Sequence, residues 1–222
     1  MNKRWPKTVA EARTIQQRLA PLVMRRNQLG RVRHVAGTDV GFARDGKIAR
    51  AAVVVLRLPA LDRVDEAVAE MQVRFPYVPG YLSFREIPVL ERALEKLHVT
   101  PDLILCDGQG YAHPRRLGLA SHLGVYLDTP TIGVAKSRLI GTHGAMPRKK
   151  GEWVPLFDDT ETIGAVLCTR NGVKPLYVSV GHRINLATAI RYVLACTTRF
   201  RLPETTRAAD QLAAFPRGKR ST

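Results

Sequence analysis

At 222 residues the chain is long enough to bury one substantial hydrophobic core and short for two ordinary domains. Its 35 Lys and Arg against 19 Asp and Glu give a formal net charge of +16, which points to a polyanionic partner, nucleic acid first and an acidic membrane surface second. No apolar run approaches the length of a membrane span, and Cys106, Cys168 and Cys196 have no metal-type spacing, so a soluble protein of the reducing cytoplasm is expected.

Up to Arg33 there are nine Lys or Arg against one acid, Glu11, so the positive charge starts at the first helix. Thr8 and Glu11 form a capping box there, Val9, Ile15, Leu19 and Leu22 follow at helical spacing, and Pro21 should end the helix. "RVRHVAGTDVGF", "AAVVVLRL" and "VDEAVAEMQV", separated by the turns "RDGK" and "PALD", read as a three-strand antiparallel meander. Next comes "FPYVPGYLSFREIPVL", residues 75–90, in which three prolines and two tyrosines crowd a loop and the helix behind it. Ser83 and Glu86 predict a second capping box, with Ile87, Leu90, Leu94 and Leu97 on one helical face. "DLILCD" has the continuous apolar character of a strand buried on both faces. "HPRRLGLASHLG" reads as a helix with Pro114 at its first position, and "TIGVA", "TIGAVLC" and "PLYVSVG" as further strands. Asn185 should cap a helix that buries Leu186, Ile190, Val193 and Leu194. The pattern predicts an α/β fold: a mixed sheet, antiparallel meander plus parallel strands, flanked by helices on both faces. No linker divides it, so residues 1–222 are expected to form a single domain with a basic, flexible tail from about residue 212.

Strand alternation puts Val35, Gly37, Asp39 and Gly41 on one face of the first strand. Two glycines flanking a mid-strand acid leave room for a metal ion and a phosphate backbone, although an Asp paired with an arginine would look the same. Asp107 ends the apolar strand and precedes Gly108-Gln109-Gly110, at the strand end where open sheets gather ligands; a turn-forming Asp-Gly is the ordinary alternative. Glu86 is explained equally well by its capping box. Together, hard oxygen donors without a Cys or His cluster suit Mg²⁺ or Mn²⁺, which support phosphodiester hydrolysis.

"VAGTDVGF", "PYVPGYLSFRE", "DGQGYAHPRRLG", "TIGVAKSRLIG", "VGHRIN" and "RLPETTRAAD" occur in the order and at about the spacing of the endonuclease V family, which the chain resembles from about Ala10 to Asp210. The resemblance implies a ribonuclease H-like fold and a metal-dependent DNA repair enzyme. Such an enzyme nicks a strand one nucleotide 3′ of a deaminated adenine (deoxyinosine), leaving 3′-hydroxyl and 5′-phosphate ends. It further implies Asp39 and Asp107 as metal ligands, with Glu86 as a third acid that binds metal or positions water. Lys136 falls near the reacting phosphate, and His182 beside the catalytic centre. Pro76, Tyr77, Val78 and Pro79 correspond to a wedge that enters the duplex, with Val78 in place of the family's isoleucine.

Gly80 and Leu82 are expected to border the pocket for the displaced base, whose edge would be read by Gly108, Gln109 and Gly110, with His113 beside them. Arg115, Arg116, Arg138 and Arg183 are candidate phosphate contacts. The expected cofactor is Mg²⁺, with Mn²⁺ substituting, and the expected partner is deoxyinosine-containing DNA. Inosine-containing RNA is a second candidate partner; a membrane is not expected, and a monomer is. The alternatives are an inosine-specific endoribonuclease and a non-catalytic lesion-binding protein.

Overall fold

The computed structural model describes residues 5–43 and 45–215. Strand β1 (His34–Ala43) runs into β2 (Ile48–Arg57) and β3 (Asp62–Gln72) as the expected antiparallel meander. Beside β1, β4 (Leu103–Cys106) and β5 (Thr131–Ala135) add parallel neighbours, while β6 (Trp153–Asp158), β7 (Glu161–Leu167) and β8 (Leu176–His182) return antiparallel. The result is one eight-stranded mixed sheet in the order β3-β2-β1-β4-β5-β8-β7-β6.

Apolar side chains on both faces of the central strands call for cover on both sides, and helices supply it. On one face α2 (Ser83–Leu94) and α3 (Leu119–Leu127) bury Ile87, Leu90, Leu119 and Leu123 against Ala36, Val53, Val55 and Ile104. On the other, α4 (Leu186–Ala195) packs Ala189, Ile190 and Val193 on Leu103, Leu105, Ile132 and Val134. Helix α5 (Glu204–Ala213) sets Ala208 and Ala209 on Val54 and Leu56. The N-terminal α1 (Val9–Leu19) has the predicted Thr8–Glu11 capping box, and Pro21 falls in the 3-10 turn that ends it. Among the described residues no helix is long and apolar enough to cross a membrane.

Several expectations change. The glycines beside Asp39 do not clear space for a ligand: a Cβ at Gly37 would lie 2.1 Å from the backbone carbon of Thr205, and one at Gly41 2.6 Å from the Ala213 carbonyl oxygen. They let the α5 backbone rest directly on β1, so that α5 spans the strand across the position of Asp39. Helix α3 begins at Leu119, not Pro114, because Arg116 takes a left-handed φ of 55° and Gly118 folds back to donate to the Gly110 carbonyl. The second capping box is absent. Helix α2 has Leu82 at its N-cap without a side-chain cap, and the Ser83 hydroxyl instead meets Nδ1 of His122 at 2.9 Å. The chain is still helical at Ala213, past the expected start of the tail, whose remainder from 216 lies outside the described residues.

If α5 depends on glycine contact, Gly37→Ala should cost about 1–3 kcal/mol in urea unfolding, the range for overpacking against a rigid neighbour. Gly30→Ala and Gly144→Ala, where an added Cβ meets nothing within 4 Å, should change stability much less. Equal stability for all three proteins would show that α5 is not docked through Gly37.

Candidate active site

The parallel pairing of β1 with β4 brings two acids from distant sequence to one place. Thr38 lies opposite Cys106, and the Asp107 N–H donates to the Thr38 carbonyl at 3.3 Å, so Asp39 and Asp107 emerge side by side. Asp210, reaching over from α5, completes a triad whose ligand oxygens all lie within 4.8 Å of one another. Lys136, the first residue after β5, sets its Nζ 2.6 Å from Asp107 Oδ2 and 3.2 Å from Asp210 Oδ1. Glu86, only 7% exposed, approaches from α2; with no cap to make, its carboxyl group is free to face this cluster.

The protonation behaviour records the crowding. Burial first, then the charges of Asp107 and Asp210, push Asp39 up to about 6, against the pull of Lys136. Burial likewise raises Asp107 despite its bond to Lys136, and burial followed by the charges of Asp39 and Asp107 holds Glu86 well above the usual carboxylate range. Burial works against the charge on Lys136, but Asp107 and Asp210 outweigh it and raise its pKa. Half-buried Asp39 and Asp107, exposed Asp210 and buried Glu86 gathered around one lysine form a site short of positive charge. Its donors are all carboxylate oxygens, the set that suits a hard divalent cation. Asp39, Asp107 and Asp210 would hold such an ion, with Glu86 next to them.

A cavity of about 450 Å³ opens beside the acids, lined by Asp107, Lys136, Gly108, Gln109, His113 and Leu119 and by the loop residues Tyr77, Val78, Pro79, Gly80 and Leu82. The loop is anchored at both ends, since Phe75 and Tyr81 are buried against Phe84 and Ala12. Between these anchors Tyr77 stands 71% exposed and projects from the loop instead of packing into the core. Gly80, at φ 80°, offers one carbonyl to three donors: Gln16 Nε2 at 3.0 Å, Arg115 Nη2 at 2.8 Å and His113 Nε2 at 3.1 Å. His113 Nδ1 accepts from the Arg115 N–H at 3.2 Å, which fixes the ring as the Nε2–H tautomer. Burial and the Arg115 charge keep it neutral by lowering its pKa to about 4. Gln109, a lining residue of the cavity, donates through Nε2 to the Ser137 carbonyl at 2.9 Å, while its Oε1 is buried without a hydrogen-bond partner.

Not every expected residue joins this site. Gly110 is packed beneath β8, where a Cβ would lie 2.2 Å from the Val180 carbonyl oxygen, and its N–H donates to Ser179. Arg115 is consumed by Gly80, Gln16 and the Tyr81 ring, with 4.3 Å between guanidinium and ring centre. Arg116 is tied to Asp158 at 2.7 Å and Glu161 at 2.9 Å, and Arg183 to Asp128 at 2.9 Å. None of these three arginines is free to bind phosphate in this arrangement; Arg138, exposed on the cavity rim, is. His182 is not beside the acids. It pairs with Thr131 at the start of β5, roughly 15 Å of strand from the end that carries Lys136. There it is buried, accepting from the Met24 N–H at Nδ1 with Asp128 3.4 Å from Nε2.

Asp210 is the residue that sequence reasoning missed. Its segment, "RLPETTRAAD", stood out as a motif, but the buried side of α5 is Thr205, Thr206, Ala208, Ala209 and Ala213, which gives no apolar stripe to announce a helix.

The sequence signature of the Endonuclease V family matches residues 17–211. Endonuclease V of Roseiflexus sp. (strain RS-1) is 57% identical over 213 residues, covering 96% of this chain and 95% of the relative. The crystal structure of Endonuclease V from Streptomyces avermitilis superposes with a TM-score of 0.90 at 46% identity, over 94% of this chain and 92% of that one. Ciona intestinalis Endonuclease V, solved in complex with a 24mer DNA containing an inosine followed by a ribo-adenosine, gives 0.82 at 32% identity, over 92% and 95% of the two chains. The expected ribonuclease H-like fold is the one these structures share.

If the carboxylates repel one another until a cation binds, Asp39→Asn should raise the melting temperature of the metal-free protein at neutral pH. The same change should shrink the rise in melting temperature that Mg²⁺ produces in the wild type. A variant that melts lower and keeps the full Mg²⁺ response would contradict the site.

Proposed function

The chain belongs to the endonuclease V family, and we propose that it is a Mg²⁺-dependent repair endonuclease that nicks DNA one nucleotide 3′ of deoxyinosine. The observation that carries this reading is the adjacency of two unlike features. A carboxylate triad within 4.8 Å sits at the edge of a cavity whose other wall is a rigid loop with a projecting tyrosine. The inosine-containing DNA bound to the Ciona relative supports the choice of substrate.

In this reading Tyr77 enters the duplex from a loop fixed by Pro76, Pro79 and the Gly80 carbonyl, and its ring offsets the stacking lost when the lesion leaves the helix. The displaced hypoxanthine occupies the cavity, where the backbone of Gly108 and Gln109 offers hydrogen-bond partners to its edge. Asp39, Asp107 and Asp210 hold Mg²⁺, or Mn²⁺ in its place, with Glu86 close by. When bound, the ion lowers the pKa of water and neutralises charge on the phosphate. Lys136, whose ammonium lies on Asp107 and Asp210, would face a phosphate oxygen, where its charge would stabilise developing negative charge. In this reading Glu86, buried beside Asp39 and Asp107, takes the proton of the attacking water. The water oxygen bonds to phosphorus, the bond to the 3′ oxygen breaks with its electron pair on that oxygen, which takes a proton from solvent, and the products are a 3′-hydroxyl and a 5′-phosphate.

Matched DNA and RNA oligonucleotides, each carrying one inosine and incubated with Mg²⁺ or EDTA, test the reading on a single gel. DNA should be cut only with metal, and Asp39→Ala or Asp107→Ala should abolish the nick while leaving the protein folded. Cutting of RNA alone would make the substrate RNA, whereas retarded but uncut strands would make the protein a lesion binder. Tyr77→Ala should lose more activity on duplex than on single-stranded inosine DNA, because only the duplex has to be opened; equal losses would remove the wedge from the account.

A further inference from the structure

Lys136 lies one residue beyond Ala135, where the pairing of β5 with β8 stops, so the sheet ladder does not set its backbone. Its flexible side chain nevertheless bridges Asp107 and Asp210. A four-carbon stem that is 42% exposed needs some other constraint to keep its ammonium in one place. Arg201, in the loop between α4 and α5, provides one. Its Nη2 donates to the Lys136 carbonyl at 2.8 Å and to the Pro175 carbonyl at 2.8 Å, clipping the end of β5 to the residue that precedes β8.

Arg201 is itself held from behind. Its own carbonyl accepts from the Thr169 hydroxyl at 2.6 Å, and the loop before it is fastened by Lys150, whose Nζ donates to the Thr197 carbonyl at 3.2 Å and the Thr198 carbonyl at 3.3 Å. The guanidinium also acts electrostatically on Asp107, adding positive charge behind the triad. Building this clip has a cost, since Arg201 Nε is buried without a hydrogen-bond partner.

We propose that Arg201 is a positioning residue for Lys136: by fixing the backbone at the end of β5 it aims the ammonium at the acids and, during the reaction, at the phosphate. The inference rests on the nuclease reading above. Both carbonyls are met by Nη2 alone, and an ammonium can also donate twice, as Lys150 does, so Arg201→Lys keeps the charge and the donors on a differently shaped, more flexible stem and is a meaningful intermediate between wild type and Arg201→Ala.

The test is single-turnover cleavage of an inosine duplex, with enzyme in excess, by wild type, Arg201→Ala, Arg201→Lys, Lys136→Ala and the Arg201→Ala/Lys136→Ala double variant, each with its melting temperature. Misaiming a group by an ångström costs up to about 100-fold, so Arg201→Ala should lose about 10- to 100-fold in rate at saturating DNA and metal, and Arg201→Lys less. In the Lys136→Ala background the further loss from Arg201→Ala should shrink to about 3-fold or less, since the group being aimed is gone. An equal loss in both backgrounds, or an Arg201→Ala enzyme that cuts at the wild-type rate, overturns the proposal. Should Arg201→Ala fail to fold, the same cycle is run with Arg201→Met, which keeps an unbranched stem but removes both donors to the Lys136 and Pro175 carbonyls, and is judged in the same way. A wild-type protein that does not cut inosine DNA overturns the nuclease reading itself, a result distinct from any difference among the variants.

Discussion

The interaction on which the structure turns is a repulsion. Asp39, Asp107 and Asp210 come from a strand, a strand end and a helix, yet their oxygens share a space less than 5 Å across, with Glu86 buried alongside. Nothing in the local sequence around any of them favours that meeting. The parallel register of β1 and β4 forces the first two together, and the backbone contact of α5 with Gly37 and Gly41 brings in the third. Burial first, and the neighbouring carboxylates second, make the charged forms of these acids costly, and the raised pKa values of Asp39, Asp107 and Glu86 follow from both. The hydrophobic contacts of the sheet and its helices hold the acids together, and a bound divalent cation would offset their charge.

The same economy shapes the loop at residues 75–82. A projecting tyrosine is useful only on a support that does not yield. Phe75 and Tyr81 bury the two ends of the loop, the prolines restrict it, and three donors converge on the Gly80 carbonyl. His113 and Arg115, which look in sequence like parts of a nucleic-acid contact, serve as internal fasteners of this support. Arg116 has a similar internal task, linking its own loop to Asp158 and Glu161 on the β6–β7 hairpin.

Much of the fold was legible because its signals are local. Alternation marks β1 and β3, continuous apolar runs mark β2 and β4, and Asn185 caps α4 through a bond to the Thr188 N–H. What stayed hidden depends on distant partners. Helix α5 buries threonines and alanines, so its docking is invisible without the glycines it rests on. Strand β6 carries Pro155, which disguises it as a loop; the proline is tolerated because β6 is the edge of the sheet. Charge gave the kind of partner but not the contacts, since nothing near Arg116 or Arg183 in sequence tells that each is already neutralised by carboxylates. Glu86 shows the converse: a motif that reads as a capping box has its serine turned to His122 and its glutamate turned to the acids.

The central claim, that these acids form one cation site, is tested most directly by anomalous diffraction from crystals grown or soaked with Mn²⁺. The account predicts an anomalous peak in contact with the carboxylates of Asp39 and Asp107 and within reach of Asp210, with the Lys136 ammonium withdrawn from Asp107. Well-ordered carboxylates with no peak between them, and Lys136 still bonded to Asp107 at saturating Mn²⁺, would contradict it.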